Sequence, residues 1–151
     1  MENKELKWED VPKGWTLCFN KDCEMREQCL RFKAGMLAPA GAFTSVAPSS
    51  QVDGKCSYFA STKKVTFARG FINIYEKVLS RDFTPMRKEM TEMLQGKRYY
   101  YEYMRGERPL SPLQQKNIRD LFARWGYADS VYFDEYEDAY DFKKNPLPCG
   151  F

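Results

Sequence analysis

Four cysteines, Cys18, Cys23, Cys29 and Cys56, fall in the first half of the chain at the spacing C-x4-C-x5-C-x26-C, and histidine is absent throughout. Thiolate is then the only good soft ligand available, so a transition-metal site here is all-cysteine. Such a site would tie residue 18 to residue 56 and so dictate how the whole N-terminal region folds. Structural zinc needs four deprotonated ligands converging at about 2.3 Å, and typical sites pair ligands two to four residues apart in a tight knuckle. Gaps of four and five are looser. They suit a loop carrying Cys18, a helix start at Cys23, a helix body at Cys29 and a return at Cys56. An iron–sulfur cluster uses the same donor set. The plain alternative is that Cys29 and Cys56 are small buried hydrophobes.

The missing histidine also removes the Ser-His-Asp triad, the Cys-His pair and H-E-x-x-H chemistry. No G-x-x-x-x-G-K-[ST] loop or G-x-G-x-x-G turn is present. Carboxylates abound, yet nothing marks out one pair for acid–base work, so the reading leans against an enzyme. No C-x-x-C pair argues for a redox-thiol enzyme either.

At 151 residues the chain fits one domain, residues 1–151, with a polar arm at 1–14 and a long loop at 38–55. The aromatic share of 16% argues against disorder, because disordered chains are poor in rings. A net charge of +3 carries no nucleic-acid argument by itself. The charged N-terminus does not read as a signal peptide, and no run approaches the roughly 18 apolar residues of a membrane span. A cytoplasmic address is therefore expected, where thiols stay reduced. Five cysteines, an odd number, also fit metal binding or buried thiols better than a disulfide framework. Cys149, near the C-terminus, reads as an incidental thiol.

Met25, Cys29, Phe32 and Met36 recur at helical spacing behind a capping Asp22, which predicts a helix over residues 23–37. Residues 57–67 read as a short strand or extended segment. Phe71, Ile74, Tyr75 and Val78 predict a helix over 68–79. Thr84-Pro85 reads as a cap with a first-turn proline, opening a third helix that ends near Gly96. Residues 97–104 suit helix or strand. Ser111-Pro112-Leu113-Gln114 is the sharpest local signal, a capping box whose helix is closed by Gly126. A last short helix is expected from Phe133 or Asp134 to Tyr140. The expected fold is therefore mainly α, a compact helical domain with at most short β segments and a zinc-stapled N-terminal region.

Two charged stretches remain. Lys97, Arg98, Tyr99, Tyr100, Tyr101, Arg105 and Arg108 interleave cations with rings, the mixture used to hold single-stranded nucleic acid. Glu102 and Glu107 weaken that field, and tyrosines packed inward with cations snorkelling outward explain the pattern equally. Residues 129–141 are acidic at every charged position, but they lack EF-hand spacing and read as a solvated face that pairs with the basic stretch around Lys97–Arg124, in the chain or on a partner.

Taken together, Cys18-x4-Cys23-x5-Cys29-Leu30-Arg31, Cys56-x-Tyr58-Phe59, Tyr99-Tyr100, the run Arg105-Gly106-Glu107-Arg108-Pro109-Leu110-Ser111-Pro112 and Phe133-Asp134-x-Tyr136 resemble a small family of uncharacterised gut-bacterial proteins, known only as a domain of unknown function. The resemblance runs from about Trp15 to Phe142. It implies no activity, only that the four cysteines and the R-G-E-R-P-L-S-P turn belong to one domain. The expected role is a binding or regulatory module acting through a protein partner, with a structural zinc site at Cys18, Cys23, Cys29 and Cys56. A nucleic-acid-associated module and an iron–sulfur or redox protein are the alternatives.

Overall fold

The computed structural model describes residues 5–143, and Cys149 lies outside them. The chain forms two compact units, one reaching to Lys63 and resuming at Tyr140, the other spanning Lys64–Ala139.

The first unit is built mostly from turns. Among its described residues there is one α-helix, α1, spanning Leu30–Leu37. Helix was expected from residue 23, but the Cys23, Arg26 and Gln28 N–H groups donate three residues back, to Asn20, Cys23 and Met25. Those bonds make successive tight turns ending in a 3-10 turn at Arg26–Gln28. Cys29 is then extended, at φ −106° and ψ 119°, so an α-helix starts only after it. The helical stripe also fails at its far end, since Met36 is 46% exposed. The long loop closes on a minimal hairpin of β1 (Gln51–Val52) and β2 (Lys55–Cys56), with Gln51 opposite Cys56. Asp53 and Gly54 supply the two positive φ angles, 51° and 74°, that a two-residue turn of this hand needs. Leu17 pairs with Ser45, and Cys29 with Ser61, through isolated bridges. Leu17, Leu30 and Ala34 are wholly buried beneath them.

The second unit holds β3 (Lys64–Arg69), α2 (Ser80–Met93), α3 (Lys97–Met104), α4 (Pro112–Arg124) and most of β4 (Glu135–Tyr140). Phe71, Ile74, Met86, Met90, Ile118 and Phe122 fill its core. The capping box behaves as expected. Gln114 N–H donates to Ser111 Oγ at 3.2 Å, and Ser111 N–H donates to Gln114 Oε1 at 2.9 Å. Gly126, at φ 89°, ends the helix.

Elsewhere tertiary pairing overrides the helical spacing. The helix expected over 68–79 is absent because Ala68 exchanges backbone hydrogen bonds with Leu110, at 3.1 and 2.7 Å, which commits it to an extended strand. Residues 71–78 follow as tight turns. The α2 helix starts at Ser80 instead of Thr84, with Asp82 and Phe83 N–H groups closing on Leu79, so Pro85 lies inside it. The expected last helix is instead β4, which pairs with β3. Thr66 Oγ1 donates to Asp138 at 2.6 Å, and Arg69 Nε donates to Glu137 at 2.8 Å, so a basic strand meets an acidic one.

These strands correct the fold class. With 40% helix and 15% strand, in two small antiparallel sheets, the fold is mixed α/β and not mainly α.

Candidate thiol-lined cavity

All four sequence-selected cysteines border one cavity of about 590 Å³ in the first unit. Each arrives on a different local structure. Cys18 follows the Leu17 bridge, its N–H bonded to the Arg31 carbonyl at 3.1 Å. Cys23 sits at a turn, Cys29 immediately precedes α1, and Cys56 ends β2. Cys23 and Cys29 are buried, whereas Cys18 and Cys56 are partly open.

The electrostatics put the thiols near one another. Burial pushes the Cys18 thiol up, an N–H from Asn20 pulls it down, and the charges of Cys29, Cys23 and Cys56 push it up again. Tyr58 N–H donates to Cys56 Sγ at 3.4 Å. Cys18 and Cys56 thus each receive a backbone N–H from two residues on. Arg26, Arg31 and Lys55 also line the cavity.

Arg31 was not selected from the sequence, yet it organises the site. It is only 5% exposed. Its Nε donates to the Tyr58 carbonyl at 2.8 Å, its Nη1 to the Thr16 carbonyl at 2.7 Å, and its guanidinium lies 4.5 Å from the centre of the Trp15 ring. One side chain on α1 thereby clasps both segments that carry Cys18 and Cys56. Burial lowers its pKa, and the charges of Cys29, Cys56 and Cys18 raise it. Gly35 was missed as well. A Cβ there would stand 2.3 Å from the Cys18 carbonyl oxygen, so α1 packs against the Cys18 backbone only because position 35 has no side chain. The sequence signals were faint: an arginine two places after Cys29, and a glycine inside a short helix.

The zinc-stapled region expected in the fold is corrected here. Among the described residues, no three Cys, Asp or Glu side chains form a group that holds a metal ion. The thiols come from separate turns and face a shared volume, so they do not meet at a point.

In the 97–108 stretch the arginines pair within the chain. Arg98 and Arg108 both bond Glu102, and Arg105 pairs with Glu107 at 2.8 Å. Tyr100 is buried, its hydroxyl 3.3 Å from that of Tyr75. The acidic residues 134–138 are exposed and face Thr66 and Arg69 across the sheet instead of the 97–124 stretch. No helix among the described residues is long and apolar enough to cross a membrane.

No curated protein and no solved structure matches the chain. A family model does match, over residues 1–142, and by it the chain belongs to a family of unknown function (DUF6078).

Proposed function

We propose that this chain is a non-catalytic binding module whose site is the four-thiol cavity, and that Cys18, Cys23, Cys29 and Cys56 hold a metal–thiolate centre there. The observation that carries the reading is that four cysteines from separate local structures, one of them far along the chain from the other three, line one cavity. Two backbone N–H groups that reach sulfur and three cationic side chains lining the same cavity support it, because a metal centre held by four thiolates carries net negative charge. A cluster of unliganded thiols in the core gains nothing from either feature. The donor set selects soft or borderline metals over magnesium or calcium.

The test is the metal content of untagged protein purified anaerobically, paired with alkylation of its thiols before and after a strong chelator. The reading expects stoichiometric metal and four cysteines that alkylate only after chelation. No metal, with the same four cysteines alkylating at once, would remove it.

A further inference from the structure

We infer that the occupant of this cavity is a [4Fe–4S] cluster and not a single ion, an inference that rests on the metal–thiolate reading above. The first argument is one of size. A tetrahedral ion with bonds of about 2.3 Å draws its four sulfurs to within about 3.8 Å of one another. Here the thiols border about 590 Å³, and no three of them form a single-ion group among the described residues. A cubane gives every cysteine its own iron, so its ligands stand around a core instead of crowding one centre.

The second argument is the origin of the ligands. A mononuclear knuckle brings two thiolates from one tight turn, two to four residues apart. Cys18, Cys23, Cys29 and Cys56 come singly, from a bridge, a turn, a helix entry and a strand end. That arrangement suits four separate corners.

Charge supplies the third. A doubly positive core with four thiolates leaves a dianion in a partly buried site. Arg31 lies near enough to Cys18, Cys29 and Cys56 for their charges to act on it, and Arg26 and Lys55 share the wall. The N–H groups of Asn20 and Tyr58 at Cys18 and Cys56 are contacts of the kind that set cluster potential.

Loading is a ligand exchange. Each cysteine S–H loses its proton to a departing thiolate of the cluster donor as an Fe–S(Cys) bond replaces an Fe–S(donor) bond. No electron changes hands. The experiment offers apo-protein, as the full chain, a small thiolate-ligated [4Fe–4S] complex under anaerobic conditions, and in parallel zinc alone. Iron, acid-labile sulfide and visible absorbance are measured on the desalted protein and on protein purified anaerobically. The expected result is brown protein with about four irons and four sulfides per chain. Serine at any one of Cys18, Cys23, Cys29 or Cys56 should cut retention at least severalfold, with far-UV circular dichroism showing the fold retained. Should a variant unfold, the wild-type stoichiometry decides. Colourless protein that takes one zinc and no iron overturns the cluster while leaving the metal–thiolate centre standing. Protein that takes neither overturns both.

Discussion

Replacing Gly35 by alanine sets two effects against each other, and the geometry decides which wins. Gly35 lies within α1, where alanine is intrinsically better by about 1 kcal/mol. In isolation the change would stabilise. The new Cβ, however, would stand 2.3 Å from the Cys18 oxygen and 3.2 Å from its carbonyl carbon. An ordinary carbon–oxygen contact needs about 3.4 Å, so roughly 1 Å has to be found. The obstacle is backbone, and it is held from the other side by the Cys18 N–H bond to the Arg31 carbonyl. Overpacking typically costs about 1–3 kcal/mol, and an overlap of this depth against held backbone belongs to the upper part, about 2–3 kcal/mol. The net expectation is a loss of about 1–2 kcal/mol, or about 2–8 °C in the midpoint of a melt for a chain of this size. Because relief comes by moving Cys18, metal retention against a competing chelator should fall as well. Thermal unfolding followed by circular dichroism, with metal retention on the same samples, checks both. A midpoint equal to or above the wild type would refute the close approach of α1 to Cys18.

Arg31→Met should cost about 3 kcal/mol, because it leaves the Thr16 and Tyr58 carbonyls without their charged donor; urea unfolding measures it, and a loss under about 1 kcal/mol would show the clasp to be dispensable. Ser111→Ala should cost about 1 kcal/mol through loss of the capping box, and a neutral result in the same assay would mean that the cap adds nothing to α4. Burial raises the pKa of both Tyr75 and Tyr100. The folded chain therefore holds these protons more tightly than the unfolded one, so their contribution is complete below about pH 10 and is lost as pH climbs beyond it. Ultraviolet titration should show two tyrosines ionising only with unfolding, and Tyr75→Phe should flatten the alkaline fall in stability; an unchanged alkaline limb would contradict the assignment.

The signals that survived folding are those settled within a few residues. Ser111 and Gln114 cap one another across three positions, and Gly126 takes the positive φ that ends α4, so neither depends on the rest of the chain. The signals that failed depend on distant partners. Phe71, Ile74, Tyr75 and Val78 have helical spacing, yet Ala68 is claimed by Leu110, 42 residues away, and the run breaks into turns. The 135–140 segment mixes carboxylates with two tyrosines four residues apart, a helical spacing. Its strand character appears only when Arg69 and Thr66 stand opposite. The cysteines themselves were legible, because the absence of histidine left thiols alone as soft donors. Their arrangement was not, since it hangs on Arg31 reaching two segments 15 and 27 residues away.

The two units differ in what holds them, and this yields a last expectation. The second unit closes over a large cluster that includes Phe71, Met86, Met90, Ile118, Leu121 and Phe122. The first has one eight-residue helix, a hairpin with two-residue strands, and the buried side chains of Leu17, Leu30, Phe32, Ala34, Val46 and Ala60 beside two of its cysteines. Alanines contribute little apolar area, so hydrophobic burial leaves this unit short of what its ordered turns cost in entropy. The proposed occupant, bound by four thiolates, would close that gap, since binding to the folded state alone adds stability in proportion to the logarithm of ligand over Kd. Removing it should therefore loosen the first unit selectively. Hydrogen exchange on chelated protein should show the amides of Leu17, Cys18, Leu30 and Val46, all bonded to segments distant in sequence, losing at least tenfold in protection. The amides of α2 and α4 should hold theirs. Equal loss in both units would mean that the cavity supports the whole chain, and no loss in either would mean that the thiols carry no stabilising occupant.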